Sequence, residues 1–275
     1  MRAQAAVGGG LARLLGLLAL AGFAAAEPSL KPAFDAGIAL RTSQAAIGRE
    51  LSDAQLTDQD GRPISLQQLR GRPLVISPIY TSCYYVCPIT TTHLRDVAVV
   101  ARGVLGADSF TILTLGFDTA HDTPERMREF ARERGIDTRN WAFASADAST
   151  ARRLLEQIGF TYVSDGAGFE HLVQATVVDP QGRVYRQIYG QEFETPLLVD
   201  ALKRLIAGQR AGEKSLPALL ETVRLICSAY DPASGRYRFD YSLILSILIG
   251  ALCMASIGLF LWHSWRELPR SDRAP

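Results

Sequence analysis

The middle of the chain alternates continuous apolar runs with amphipathic segments. Residues 74–80 and 110–117 are nearly uninterrupted apolar runs bounded by turn residues, a pattern that predicts strands buried on both faces. Pro78 lies inside the first run, so backbone pairing is predicted to loosen there. Apolar residues at helical spacing follow each run and predict helices over 88–105 and 124–135.

Further along, the pattern predicts shorter elements. They are a strand at 141–143, a helix at 150–158, a hairpin of strands 173–178 and 183–189 around an Asp-Pro-Gln-Gly turn, and a helix at 195–207. A short strand is also predicted at 64–66, after turn residues at 58–61. Because strands alternate with helices before a final hairpin, we expect a single α/β domain.

The N-terminal apolar run is short. Residues 14–26 are uncharged, follow a basic start and finish with Ala24-Ala25-Ala26. This arrangement predicts a cleaved signal peptide over 1–26, because an ordinary membrane helix needs about 20 apolar residues. An uncleaved anchor is the alternative. Residues 27–55 are polar and rich in Ala without a clear period, which predicts a linker.

The C-terminal apolar run is longer. Residues 241–262 contain no charged side chain and would span about 33 Å as a helix. Aromatic residues flank both ends, as is typical of a transmembrane helix. Arginines are slightly more numerous after the run than before it, which predicts a cytoplasmic tail over 263–275. The segment 211–240 is predicted to be an amphipathic juxtamembrane region. We therefore expect a bacterial inner-membrane protein whose soluble domain lies in the periplasm.

Composition excludes two classes of protein. The 275 residues carry a net charge of +1, which argues against a nucleic-acid partner bound through a basic face. Four cysteines are too few for a disulfide-rich scaffold. An exported domain nevertheless lies in an oxidising compartment, where a pair of cysteines can form a disulfide.

The sharpest chemical feature is the segment Cys83-Tyr84-Tyr85-Val86-Cys87-Pro88, at the predicted end of a strand and start of a helix. Unpaired amide groups and the helix dipole at such a junction favour thiolates. Two thiolates at this spacing can bind a soft metal, form a disulfide or exchange disulfides with a partner. The spacing alone leaves all three open.

A third ligand would favour metal binding, and the chain has four histidines. Three of them have ordinary explanations, as a solvated helix residue, a mobile loop residue and a membrane-edge residue: His93, His121 and His263. His171 directly precedes the predicted hairpin, which a thioredoxin-like sheet brings close to the cysteine loop. Together, Cys83, Cys87 and His171 would form a two-thiolate, one-imidazole site suited to copper.

Three motifs together resemble the Sco/SenC family. They are the Cys-x-x-x-Cys-Pro loop, the segment 116–125 with the sequence GFDTAHDTPE, and His171 followed by the segment 177–184, VVDPQGRV. The resemblance covers about residues 50–210. It implies a thioredoxin-like domain, which we place at 56–210.

The resemblance also implies a function. It implies a copper site formed by Cys83, Cys87 and His171, able to hold Cu(I) or Cu(II), and lost when the two cysteines form a disulfide. It implies a metallochaperone, more than an enzyme, that takes copper from an upstream donor. The client would be the binuclear copper site of respiratory oxidase subunit II, which receives copper or is reduced. Asp118 and Asp122 match acidic positions of the family, with an expected role in partner docking or support of the site.

The chain also departs from the family pattern. Thr119 stands where relatives commonly have Pro, the clear membrane span is C-terminal, and 211–240 has no counterpart in the minimal family domain. Cys227 is predicted to be a packed thiol on an apolar helix face, with an auxiliary redox or metal thiol as the alternative. Cys253 lies inside the predicted membrane helix.

Two other activities remain open. A thiol–disulfide oxidoreductase would act on client cysteines and would not need His171. A peroxidase would need Thr and Arg near a reactive cysteine, and the Cys83 loop offers Thr81 but no adjacent Arg.

Overall fold

A computed structural model describes residues 33–164, 166, 168–211, 228–231, 236–239 and 242–267. In it, the predicted apolar runs form strands of one mixed sheet. The described strands are β1 (Gln55–Asp58), β2 (Pro63–Ser65), β3 (Leu74–Ile79), β4 (Thr111–Gly116), β5 (Trp141–Ser145), β6 (Tyr162–Ser164), β7 (Phe169–His171), β8 (Gln174–Val178), β9 (Val184–Tyr189), β10 (Ser228–Asp231) and β11 (Arg236–Phe239). The main sheet has the order β2-β1-β5-β4-β3-β8-β9, and β6-β7 and β10-β11 form separate two-stranded sheets. Strands β3, β4 and β5 run parallel, whereas β1 and β8 run antiparallel to their central neighbours.

Helices cover both faces of this sheet. Helices α2, α3 and α5 lie on one face and α4 on the other. The described helices are α1 (Ala36–Gln44), α2 (Val86–Leu105), α3 (Pro124–Glu133), α4 (Ala148–Gln157), α5 (Thr195–Ala211) and α6 (Ser242–Glu267), with a 3-10 turn at Leu66–Leu69. Successive strand residues point to opposite faces, so Val75 packs with α2, α3 and α5 whereas Ile76 packs with α4. The predicted α/β, thioredoxin-like architecture is confirmed.

Pro78 shapes the end of the central strand. Strand β3 pairs with β8 only as far as Ile76, opposite Thr176, whereas its parallel pairing with β4 continues to Ile79, opposite Gly116. Proline has no N–H to donate, so pairing stops on one side, as predicted. The chain therefore leaves the sheet beside β4 and enters the cysteine loop.

The predicted linker over 27–55 is wrong for its second part. Residues Ala36–Gln44 form α1, whose first turn is capped by the side chain of Asp35, which accepts a hydrogen bond from the Ile38 amide at 2.9 Å. Ser43 and Leu51 are buried, and the Ser43 hydroxyl lies 2.7 Å from that of Tyr189. The segment was missed because α1 has few large apolar residues to give a period.

The C-terminal apolar run forms a helix, as predicted. Within α6, Leu245–His263 has a mean hydropathy of 2.2 and is long and apolar enough to cross a membrane. Its large apolar side chains from Leu245 to Trp262 are exposed, as lipid contact requires. The predicted signal peptide, Cys227 and most of the segment 211–240 lie outside the described residues.

Candidate metal centre

The two cysteines lie where β3 gives way to α2. Cys83 is in the connecting loop, its amide donating to the Tyr80 carbonyl at 3.2 Å, and Cys87 is in the first turn of α2, which begins at Val86. The Cys87 amide donates to the Cys83 sulfur at 3.4 Å. Both residues are buried and neither forms a disulfide. The loop thus brings the two sulfurs together at a helix N-terminus.

The two thiols have opposite protonation preferences. The Cys87 thiol, the Cys87 and Tyr85 amides and the Tyr80 hydroxyl donate to the Cys83 sulfur, and against the cost of burial they lower the pKa of Cys83 to about 4. The Cys87 thiol gives its proton to that bond and is also buried, so its pKa is raised well above the ordinary value. At neutral pH the pair therefore holds one thiolate and one thiol.

A buried carboxylate fixes the start of the cysteine loop. Asp122 accepts hydrogen bonds from the amide and hydroxyl of Thr81, each at 2.7 Å, and from the amide of Asp118 at 2.9 Å. Burial raises the pKa of Asp122 although these donors oppose the shift. Gly116 leaves the necessary space, since a Cβ there would lie 2.5 Å from the Cβ of Asp122. Asp122 therefore joins the loops that follow β3 and β4.

His171 comes from a third element. It ends β7, opposite Tyr162 in the β6–β7 hairpin, and its ring packs 5.3 Å from the Phe160 ring and 5.5 Å from the Phe117 ring. Burial lowers the pKa of His171, so the imidazole is neutral at pH 7. Its Nδ1 lies 2.8 Å from the Leu172 carbonyl oxygen, which only a protonated Nδ1 can satisfy. Nε2 therefore keeps the lone pair that a metal ligand needs.

The structure brings the predicted ligands near one another without assembling them. Tyr80, whose carbonyl accepts from the Cys83 amide, packs its ring 6.2 Å from the imidazole. Among the described residues, no three His, Cys, Asp or Glu side chains already form a group that could enclose a metal ion. The two sulfurs lie together, and the imidazole of His171 is not grouped with them.

The other histidines lie apart from this centre. His93 was predicted to be solvated, and this is wrong: its Nε2 lies 2.7 Å from the Phe193 carbonyl oxygen and its ring packs on that side chain. The loop before α5 covers this face of α2, which helical spacing could not show. His121 is exposed, and its Nδ1 lies 2.8 Å from a carboxylate oxygen of Asp118.

The surface around Cys83 holds groups that the sequence did not place there. Tyr84 is 97% exposed and Tyr85 is 69% exposed, so the two residues between the sulfurs present aromatic rings to solvent. A cavity of about 230 Å³ opens beside Cys83, lined also by Thr81, Tyr84, Pro88, Arg126, Glu129, Phe130, Glu133 and Arg134. The two cations of this cavity, Arg126 and Arg134, are eight residues apart in and just after α3, so helical spacing could have placed them on one face.

The central strands of the sheet run parallel, and two free cysteines lie where β3 gives way to α2. These features define a thioredoxin-like protein with a Cys-x-x-x-Cys site. The model of the SCO1/SenC family matches residues 43–207, and the chain belongs to that family. The match begins inside α1, so the family domain includes part of the segment that was predicted to be a linker.

Comparisons with individual proteins agree. A protein of Stutzerimonas stutzeri, provisionally described as copper-binding, is 25% identical over 166 residues, which are 58% of this chain and 76% of that protein. A solved Aquifex aeolicus structure, provisionally described as an electron transfer protein, is 33% identical with a TM-score of 0.54, covering 59% of this chain and 95% of that one. BsSco, described with a disulfide switch, has the same fold at 21% identity and a TM-score of 0.53, covering 58% and 94%. BsSco is described as a member of the Sco family of cytochrome c oxidase assembly proteins.

Proposed function

We propose that this protein is a membrane-anchored periplasmic copper chaperone whose ligands are Cys83, Cys87 and His171. One observation carries the proposal: two free, buried cysteines in contact at the start of α2, with the His171 ring packed against Tyr80, three residues before Cys83. Thiolate sulfur is a soft donor that suits Cu(I), and imidazole also suits Cu(II). Protons therefore compete weakly with copper for Cys83 and for Nε2 of His171 at neutral pH.

Copper is cargo in this proposal. Cys83 offers a sulfur already deprotonated, whereas Cys87 must lose its proton as copper binds, so binding releases one proton from the pair. Three ligands leave the metal open to an incoming sulfur or nitrogen, which permits transfer by ligand exchange. The client in this proposal is the binuclear copper site of oxidase subunit II and the donor an upstream protein; membership of the SCO1/SenC family, to which an oxidase assembly protein also belongs, supports an oxidase as the client.

Copper stoichiometry tests the ligand set. The reduced full-length chain in detergent should bind one equivalent, and Cys83→Ala, Cys87→Ala and His171→Ala should each lose high-affinity binding. His121→Ala is the matched control, because His121 is an exposed histidine held by Asp118. Undiminished binding in His171→Ala would exclude the imidazole from the ligand set.

A thiol–disulfide oxidoreductase is the second candidate, favoured by the low pKa of Cys83. The Cys83 thiolate would attack a client disulfide, forming a mixed disulfide and releasing one client thiolate. Deprotonated Cys87 would then attack the Cys83 sulfur, releasing the reduced client and leaving the Cys83–Cys87 disulfide. Cys87→Ala should trap the mixed disulfide, and His171→Ala should leave reduction unaffected, which separates this activity from copper delivery.

The location is tested by thiol labelling in whole cells. We propose that α6 crosses the inner membrane with the tail in the cytoplasm. A thiol reagent that passes the outer but not the inner membrane should label Cys83 in intact cells after mild reduction. Labelling that requires lysis of the inner membrane would place the domain on the cytoplasmic side.

A further inference from the structure

Helix α2 presents an outer stripe on the side opposite its buried residues. The members of this stripe recur every three or four positions and therefore share one side of the helix: Ile89, Thr92, Asp96, Val99 and Gly103. Val99 is 64% exposed, and a Cβ at Gly103 would meet no other part of the described chain within 4 Å. A cavity of about 310 Å³ opens along the first turns of the stripe, lined also by Pro88, His93 and Glu192. The outer stripe is thus open to a further element.

The segment 212–227, which lies outside the described residues, is anchored beside α2 at both ends. It follows α5, which packs on α2 within the same core cluster. It leads into β10, and β11, the strand that pairs with β10, lies against α2 as well. The chain therefore leaves one neighbour of α2 and enters another within this short segment.

The sequence of this segment has an apolar side. Leu216, Leu220 and Val223 recur at helical spacing, with charged residues between them. As a helix, residues 216–227 would span about 18 Å, which fits within the roughly 30 Å of α2. A short amphipathic helix is not stable alone in water and needs a surface that covers its apolar side. The outer stripe offers that surface on the helix that both anchors contact.

We propose that the segment 212–227 docks along the outer stripe of α2, with its apolar side against Val99 and the adjoining cavity. This inference goes beyond the proposed function and does not depend on copper. The cavity reaches Pro88, the residue after Cys87. In the other direction, β11 ends at Phe239 and α6 begins at Ser242. Docking would therefore leave no free linker between the helix that carries Cys87 and the apolar helix α6.

Trypsin cleavage after Lys214 and Arg224 under native conditions tests the docking. The metal-free, reduced full-length chain is used in dodecyl maltoside micelles, and cuts at the two positions are counted by mass spectrometry. Val99→Asp places a charge on the outer stripe and leaves the core intact, because Val99 is exposed. We expect cleavage at both positions to rise about tenfold, since cleavage follows the undocked population and partial burial of such a side chain is worth about that factor.

Ile38→Asp is the matched control, because Ile38 is also an aliphatic helix residue, 54% exposed, and lies on α1. It should leave both cleavage rates unchanged. Leu220→Asp alters the other side of the contact and should raise cleavage as Val99→Asp does. The double variant should add little to either single change, because the segment is already undocked. Urea unfolding of each variant checks that the domain is intact.

Three results would overturn the proposal. The first is cleavage of the parent chain at Lys214 and Arg224 as fast as in urea. The second is protection that persists in Val99→Asp, since the micelle or a second copy of the chain would then cover the segment. The third is an equal rise in Val99→Asp and Ile38→Asp, or fully additive effects of Val99→Asp and Leu220→Asp, because neither result would require a contact between the segment and α2.

Discussion

The cysteine loop and the histidine hairpin prepare their ligands by opposite physical means. The loop surrounds the Cys83 sulfur with donors, which stabilise a negative charge in a buried place. The hairpin surrounds His171 with aromatic rings, which exclude water and disfavour a positive charge. Both lower a pKa, and both leave an unprotonated donor at neutral pH. Hydrogen-bond donors thus keep Cys83 deprotonated, whereas an apolar environment keeps His171 neutral.

The largest expected effect concerns the two thiols of the loop. Alkylation of Cys83 in the reduced chain should change little between about pH 8 and pH 5 and fall near pH 4, because its pKa is about 4. An ordinary thiol loses about tenfold in rate per pH unit over that range. Cys87 is 3% exposed and protonated, so it should react at least about a hundredfold more slowly. Peptide mapping after iodoacetamide treatment distinguishes the sites.

Unfolding in urea supplies the control, since both cysteines should then react alike. A Cys83 rate that declines steadily from pH 9 would contradict the assigned thiolate. The sign for stability follows from the same shift: the contribution of Cys83 is full above the ordinary pKa of 9.0 and is lost as the pH falls towards 4. His171 acts in the same direction, because its lowered pKa makes protonation below about pH 6.5 destabilising.

The second-largest expected effect concerns the aromatic rings around His171. Phe160 is 3% exposed and lies 5.3 Å from the His171 ring, so Phe160→Ala should cost about 3–5 kcal/mol in the free energy of unfolding. Water reaching the imidazole should raise the pKa of His171 towards its ordinary value, which is measured by NMR. Phe193→Ala is the control, because Phe193 is equally large and 5% exposed but packs on His93. An equal pKa change in both variants would show that burial by Phe160 is not the cause.

The same contrast explains what the sequence could predict. Continuous apolar runs located β3 and β4, and the turn chemistry of Thr123 and Pro124 located the start of α3, where Thr123 caps the Arg126 amide. The cysteine motif was visible because its residues are adjacent in the chain. The bonds of Asp122 to Thr81 cross 41 residues, so no local pattern contains them.

The hairpin was harder to predict. His171 lies just before the β8–β9 hairpin, as predicted, but it also ends a separate hairpin of two three-residue strands that was not predicted. Strands that short give no reliable period. The alternating aromatic residues Phe160 and Tyr162 were the available signal for a strand with one buried face. Residue spacing also could not show that the Tyr80 ring packs on the Phe169 and His171 rings of this hairpin.

A smaller effect tests the support of the loop. Asp122→Asn should cost about 2–3 kcal/mol in the free energy of unfolding, because one carboxylate oxygen becomes an NH2 group, which then faces either the Thr81 donors or the Asp118 amide and leaves that side unsatisfied. The measurement is urea denaturation of the detergent-solubilised chain. Asp118→Asn is the control and should cost less than about 1 kcal/mol, since Asp118 pairs with the exposed His121. Equal losses would mean that the two carboxylates share the structural role.

The smallest expected effect separates the two bonds that Thr81 makes with Asp122. Thr81→Val removes the hydroxyl donor and keeps both the amide donor and the shape of the side chain. We expect a loss of about 1 kcal/mol, the usual size for one hydrogen bond, with copper stoichiometry unchanged. A loss as large as that of Asp122→Asn would mean that the hydroxyl, and not the backbone amide, holds the loop.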